Sequence, residues 1–229
     1  MRRYLVVDDN AAFAENLAEI FMDAGAEVTV ADSGQMALAA AATTRFDVLV
    51  SDMRMPSMGG AELVQRIRRI DPGLPAIVVS AYTAEDDLEA ARHEGLLAVL
   101  PKPVPLAQML ELVRAARRNG LVALVEDDFD VADSVTEALR SYGFSAVTAH
   151  TVLETEHLGI RPFCGVVDLR VPGGADGEAM RRLAAKFPGL PMIVITAHID
   201  QPPPLPSAAI LIKPFDTEAL VQAVERLHA

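Results

Sequence analysis

The sequence predicts an α/β protein made of two doubly wound domains in tandem, each a five-stranded parallel sheet with helices on both faces. Three observations predict this. Short apolar runs alternate with amphipathic stretches along all 229 residues, as buried parallel strands joined by helices do. One set of residues then occurs twice in the same order: Leu5-Val6-Val7-Asp8-Asp9, Val50-Ser51-Asp52-Met53-Arg54-Met55-Pro56, Val78-Val79-Ser80-Ala81 and Leu100-Pro101-Lys102-Pro103, followed by Leu124-Val125-Glu126-Asp127, Val166-Val167-Asp168-Leu169-Arg170-Val171-Pro172, Val194-Ile195-Thr196-Ala197 and Leu211-Ile212-Lys213-Pro214. Finally, Asp52 and Asp168 are 116 positions apart and Asp9 and Asp127 are 118 apart, so the repeated unit is a whole domain and not a solenoid repeat. The expected domains are 1–119 and 120–229.

In the first half the strands are expected at Tyr4–Val7, Val28–Ala31, Val48–Ser51, Ala76–Ser80 and Ala98–Leu100. Between them the apolar period is helical over Ala11–Ala24, closed by Gly25, over Gln35–Thr43 after the cap candidate Ser33, over Ala61–Ile70 after Gly59-Gly60, and over Ala84–Glu94, closed by Gly95. A last helix is expected from about Pro105 to Arg118, with Pro105 suited to the first turn and Arg117-Arg118 to the negative C-terminal end. Asn10 and Asp128 are candidate helix caps. The second half repeats the strands at Leu121–Val125, Ser145–Ala149, Gly165–Val167, Met192–Thr196 and Ala209–Ile212. Asn119-Gly120 abuts the first of these, and so short a linker predicts that the two domains touch.

One unit departs from the repeat. Ser80 to Lys102 is 22 positions but Thr196 to Lys213 only 17, and the shorter segment carries the proline-rich stretch 201–206. Proline removes donors and clashes inside helices, so the fourth helix of the second domain is expected to be reduced or absent.

Composition narrows the function. The net charge of −12 divides into −5 for residues 1–119 (12 basic, 17 acidic) and −7 for 120–229 (8 basic, 15 acidic), which argues against either half gripping a phosphate backbone. No apolar run reaches the roughly 18–20 residues of a membrane span, and Arg2-Arg3 precedes only four residues before Asp8, too few for a signal peptide. The lone Cys164 reads as a small core residue, and the five histidines (His93, His150, His157, His198, His228) show no metal-ligand spacing. A reducing, cytoplasmic setting is expected. The run Arg66, Arg68, Arg69 reads as a solvated helix face.

The repeated polar residues follow apolar runs, so they converge where parallel strands end, on one edge of each sheet. Three carboxylates gathered there, Asp8, Asp9 and Asp52, repel one another unless a cation sits among them. Mg²⁺ suits best, because it accepts one or two carboxylates and completes its shell with water and phosphate oxygens. Lys102 then supplies a point charge and Ser80 a hydroxyl to an incoming phosphoryl group, leaving Asp52 to accept it as an acyl phosphate.

On these motifs both halves resemble receiver domains of bacterial two-component response regulators, above all through the Asp-x-x-Met-Pro-x-Met-x-Gly run from Asp52 to Gly60 and the Lys-Pro dipeptides. The resemblance implies a flavodoxin-like strand order. It implies that Asp9, Asp52 and the backbone carbonyl of Arg54 hold Mg²⁺, with Asp8 acting through water, and that Asp127, Asp168, the carbonyl of Arg170 and Glu126 match them in the second domain. Ser80 and Thr196 match the switch hydroxyl, and Lys102 and Lys213 the phosphate-contacting lysine, usually in a cis Lys-Pro bond. Ala81 and Ala197 keep the entrance small. Arg54, Arg170, Tyr82 and His198 would border the phosphoryl group. Val99 and Ile210 stand where the family often has an aromatic switch residue, and the fourth helix missing from the second domain belongs to the usual output face.

The function expected is that of a phosphoacceptor in a two-component system or phosphorelay. A histidine kinase, a histidine phosphotransfer protein or a small phosphodonor would load Asp52 as the dominant acceptor, with Asp168 as a second candidate. With no helix-turn-helix, cyclase or methylesterase segment between the domains or after them, output is expected through a downstream protein partner, with interdomain contact or a homodimer left open. The protein is expected to be no conventional enzyme, since the chemistry is its own phosphorylation and dephosphorylation. A competing class is a phosphorylation-independent interaction module with one or both pockets idle. A nucleotide-dependent enzyme is disfavoured, because Asp8-Asp9 or Glu126-Asp127 stands where a dinucleotide needs a glycine-rich turn.

Overall fold

The computed structural model of the chain describes residues 1–81, 95–197 and 202–228, which form two compact units, Met1–Asn119 and Gly120–Ala229. In the first unit the order is β1 (Arg3–Val7), α1 (Ala11–Asp23), β2 (Glu27–Ala31), α2 (Gly34–Thr43), β3 (Val48–Asp52), α3 (Gly60–Ile70), β4 (Ala76–Ser80), β5 (Ala98–Pro101) and α4 (Leu106–Ala115). All strands are parallel, in the order β2-β1-β3-β4-β5. Chain order reverses at β1, so β1 and β3 diverge at their C-terminal ends and leave a crevice there. The expected helix Ala84–Glu94 and Tyr82 lie outside the described residues.

Period-two alternation sorts the strands between two cores. Leu5, Val7, Leu49 and Val78 pack with Leu63, Val64 and Ile67 of α3 on one face, while Tyr4, Val6, Val50, Ile77 and Val79 pack with α1 and α4 on the other. Strands β3 and β4 are buried at every position, as strands covered on both faces must be. The caps are those the sequence offers: Asn10 accepts from Phe13 N and Ser33 from Met36 N.

Two local expectations need correction. Arg68 is 6% exposed and donates to Gly95 O at 2.6 Å, so the basic run on α3 is not one solvated face; only Arg66 and Arg69 are exposed. The last helix stops at Ala115 instead of Arg118. Its C-terminal carbonyls are taken by the guanidinium of Arg2, which bonds Val113, Arg114 and Ala116, and Arg118 turns away to grip both oxygens of Asp71 at 2.7 Å.

The second unit runs β6 (Leu121–Val125), α5 (Phe129–Ser141), β7 (Ser145–Ala149), a 3₁₀ turn (Glu154–His157), β8 (Cys164–Asp168), α6 (Glu178–Lys186), β9 (Met192–Thr196), β10 (Ala209–Ile212) and α7 (Thr217–His228). Its parallel strands follow the same pattern, β7-β6-β8-β9-β10. Residues 202–208 hold no helix, in keeping with their prolines. A second departure, not expected from the repeat, is that the helix after β7 shrinks to the 3₁₀ turn. Glu154 is drawn back to cap His150 N and Thr151 Oγ1, and Gly159 and Pro162 stop any further helical turn.

Even with no helix among the described residues between β9 and β10, less of this sheet is bared than its apolar sequence suggests. Met192–Thr196 is buried throughout, in part because Leu205 of the proline-rich stretch packs on the same core. That stretch rides close over α6: a Cβ on Gly177 would meet Pro204 Cγ at 2.5 Å. The exposure falls instead on the outer face of the edge strand, at Ile210 (50%) and Ile212 (44%).

Candidate functional site

In the first unit the C-terminal ends of β1, β3, β4 and β5 bring together Asp8, Asp52, Ser80 and Lys102. Asp52 is the last residue of β3, two positions beyond its apolar run. Lys102 follows β5 and donates its backbone N–H to Ser80 O at 2.8 Å, and the Lys102-Pro103 bond is cis. The lysine turns inward over the acids: Nζ lies 2.7 Å from Asp8 Oδ2 and 2.7 Å from Asp52 Oδ1. The second oxygen of each acid is held by the main chain, Asp8 Oδ1 by Asn10 N and Asp52 Oδ2 by Arg54 N, both at 2.9 Å. Asp8 and Asp52 are buried, at 2% and 8% exposure, while Asp9 faces solvent.

Burial by itself would lower the pKa of Lys102, but its bonds to Asp52 and Asp8 outweigh that and hold the ammonium above its ordinary value. The amine is therefore a fixed positive charge at the centre of the pocket. The loop after Asp52 is packed tightly against it: a Cβ on Gly60 would stand 2.4 Å from Asp52 O, so α3 can begin directly behind the acid only with glycine there.

The second unit builds the same arrangement with a longer acid. Lys213 Nζ lies 2.6 Å from Asp168 Oδ2, bonds Glu126 Oε1 at 2.8 Å, and lies 2.6 Å from Glu126 Oε2, off that oxygen's hydrogen-bond direction. Arg170 N holds Asp168 Oδ1 at 2.9 Å, Lys213 N bonds Thr196 O at 2.8 Å, and Lys213-Pro214 is cis. Glu126 is wholly buried. Its burial pushes the carboxyl up, and Lys213 offsets only part of that. Lys213, like Lys102, would be lowered by burial and is raised by its acids, Asp168 and Glu126. His198 lies outside the described residues.

The donor sets fit a hard divalent cation. Glu126, Asp127 and Asp168 can each offer an oxygen with all three within 4.8 Å of one another, and Asp8, Asp9 and Asp52 are the matching oxygen donors of the first unit. Among the described residues only the second unit's set meets that spacing.

Sequence reasoning missed two aromatic groups at these pockets. Phe13 places its ring 4.4 Å from Lys102 Nζ; its position four residues after Asp9, on the first turn of α1, was the available signal. In the second unit His150 bonds Glu126 O through Nδ1 at 2.7 Å and stacks on Phe129, with ring centroids 4.1 Å apart. Nothing in the local sequence of His150 marks that contact, which depends on how β7 lies against β6.

Comparison with known proteins places the chain among receiver proteins by sequence. The profile of the response regulator receiver domain matches residues 4–114. A response regulator receiver protein of Anaeromyxobacter sp. (strain Fw109-5) is 63% identical over 229 residues, covering 100% of this chain and 96% of that protein. The DNA-binding transcriptional regulator NtrC of Salmonella typhimurium is 36% identical over 111 residues, covering 48% of this chain and 24% of that protein. Among solved structures, a CheY-like response regulator receiver domain protein from Methanospirillum hungatei is 28% identical with a TM-score of 0.48, covering 50% of this chain and 91% of that one. The full-length match and the twice-built edge of acids and lysine lead to one conclusion: the chain belongs to the response regulator receiver family of two-component systems.

Proposed function

We propose that the protein is a phosphoacceptor that takes a phosphoryl group on Asp52, and secondarily on Asp168, from a histidine kinase, a histidine phosphotransfer protein or a small phosphodonor, and signals by protein–protein contact. The observation carrying this reading is Lys102 bridging Asp8 and Asp52 at 2.7 Å to each, repeated by Lys213 with Glu126 and Asp168. A charge so placed stands within one side-chain turn of where a phosphoryl oxygen on Asp52 would be met.

The residues divide the work as follows. An Asp52 carboxylate oxygen attacks phosphorus as the bond to the donor breaks and the donor leaves with the electron pair. Arg54 N and Lys102 hold the carboxylate for that attack. Lys102 then turns from the carboxylate to the phosphoryl oxygens, and the Ser80 hydroxyl at the end of β4 donates to another. Asp8, Asp9, Asp52 and the Arg54 carbonyl would hold Mg²⁺, with Glu126, Asp127, Asp168 and the Arg170 carbonyl as the second set. Bound there, Mg²⁺ neutralises charge on the phosphoryl group. Water ends the cycle by hydrolysing the acyl phosphate, so the protein turns over no separate substrate and is not an enzyme in the ordinary sense.

The setting is the cytoplasm, where the unpaired Cys164 belongs. Among the described residues no helix is long and apolar enough to cross a membrane. The acidic balance of both halves disfavours direct contact with nucleic acid.

A second reading applies to residues 120–229: a phosphorylation-independent interaction module. Glu126, wholly buried and approached at both oxygens by Lys213, favours it, because the longer acid in place of Asp8 is already occupied by the lysine. Labelling by acetyl phosphate in Mg²⁺, followed by mass spectrometry of the parent, Asp52→Asn and Asp168→Asn, tests both. The proposal expects most label on Asp52. Equal or greater label on Asp168 overturns the ranking, and no acyl phosphate in any chain, with no Mg²⁺-dependent binding of beryllofluoride, overturns the function.

A further inference from the structure

Among the described residues, the first pocket contains a closed circuit of contacts that the second lacks. Asp8 accepts from Lys102 Nζ at 2.7 Å and from Asn10 N at 2.9 Å. Asn10 caps α1 by accepting from Phe13 N at 3.2 Å, and the Phe13 ring lies 4.4 Å from the same Lys102 Nζ. The ammonium therefore has carboxylates on two sides and an aromatic face on a third, and its side chain is 25% exposed. The second unit keeps the cap, with Asp128 accepting from Val131 N at 3.1 Å, and keeps the inward-turned lysine. It has Val131 where the first has Phe13, so the ring is the difference.

We propose that Phe13 is the positioning residue of the first pocket: its ring face holds the Lys102 ammonium at the mouth and screens it from water, so that the lysine passes from the Asp52 carboxylate to the phosphoryl group without being rehydrated. This rests on the phosphoacceptor reading of Asp52. A ring attracts a cation across its whole face, and so restrains Lys102 without fixing it to one acceptor, which a moving lysine requires. Phe13 makes and breaks no bond; it acts only through Lys102. The ring also makes the two pockets unequal, independently of the exchange of Asp8 for Glu126.

The test uses the full chain with Phe13→Leu, which keeps an apolar side chain but removes the ring, and Phe13→Tyr, which keeps the ring. Mg²⁺ affinity should stay within about two-fold of the parent in both. Beryllofluoride affinity in Mg²⁺ and the lifetime of the Asp52 acyl phosphate should fall about five-fold in Phe13→Leu and recover in Phe13→Tyr, with label on Asp168 unchanged. Acylation of the Lys102 amine by acetic anhydride, followed by peptide mass spectrometry, should speed up in Phe13→Leu only. Equal values in parent and Phe13→Leu, or a loss of Mg²⁺ and beryllofluoride affinity in the same proportion, overturn the proposal. A parent that binds no beryllofluoride sinks the phosphoacceptor reading instead, and the acylation rate then decides the contact between Phe13 and Lys102.

Discussion

The Lys102 ammonium stands 2.7 Å from Asp52 Oδ1 and equally close to Asp8 Oδ2, so two buried carboxylates share one cation. Removing it leaves both acids facing each other. Lys102→Ala should cost about 2 kcal/mol of stability in the absence of divalent metal, less than a wholly buried pair because the lysine is partly exposed. Since the remaining acids still hold a metal, Mg²⁺ should restore more stability to Lys102→Ala than to the parent, while beryllofluoride affinity falls. Thermal denaturation with and without Mg²⁺ checks this. A variant whose midpoint, Mg²⁺ response and beryllofluoride affinity equal the parent's would remove Lys102 from the site.

Gly60 tests how closely the loop behind Asp52 is packed. A methyl group there meets backbone, Asp52 O at 2.4 Å, and backbone cannot swing aside as a side chain does. Gly60→Ala should lose about 1–3 kcal/mol and reduce labelling of Asp52. Gly189→Ala serves as the comparison: its φ of +77° disfavours a side chain, but nothing lies within 4 Å of the added carbon, so a loss of about 1 kcal/mol without effect on Asp52 is expected. Urea denaturation and acetyl phosphate labelling measure both.

The strands and the pocket were legible because both depend on short-range pattern. Apolar runs locate β1, β3, β4 and β5, and the polar residues that end them must meet on one sheet edge in any parallel sheet. What was not legible depends on distant partners. Nothing in the sequence around Arg2 shows that α4 ends against it, and Arg68 reads as part of a basic face until its bond to Gly95 O is found. The 3₁₀ turn at Glu154–His157 was hidden because the repeat supplied a helix by analogy, whereas Gly159 and Pro162 of the second unit were the better guide.

Cys164 lies on β8 with no exposed surface, and burial raises its thiol to about 12. Because the folded pKa lies above the ordinary 9.0, the fold favours the neutral thiol. That contribution to stability is complete below pH 9 and declines as pH rises toward 12. At pH 8 the folded chain should react with a disulfide reagent at least about 100-fold more slowly than the urea-unfolded chain. Comparable rates in the two states would show that the β8 core opens readily or that the thiol is accessible.

Ile210 and Ile212 show where the second unit departs from the first in its surface. Strand β10 is the last of its sheet. Ala209 and Leu211 face the core that α5 and α7 cover, whereas Ile210 and Ile212 face the opposite side, 50% and 44% exposed. Two half-exposed isoleucines contribute little to burial, so replacing both by threonine, which keeps β-branching and strand preference, should change stability by less than about 0.5 kcal/mol. Val194→Thr on neighbouring β9, with no exposed surface, should cost about 1–3 kcal/mol by burying a hydroxyl without a partner. Binding of a hydrophobic dye to the folded chain should fall in the double variant and not in Val194→Thr below its unfolding midpoint. Equilibrium denaturation and dye fluorescence read these outcomes together. A double variant that loses as much stability as Val194→Thr would mean that the outer face of β10 is covered in solution, and unchanged dye binding would place the exposed apolar surface elsewhere.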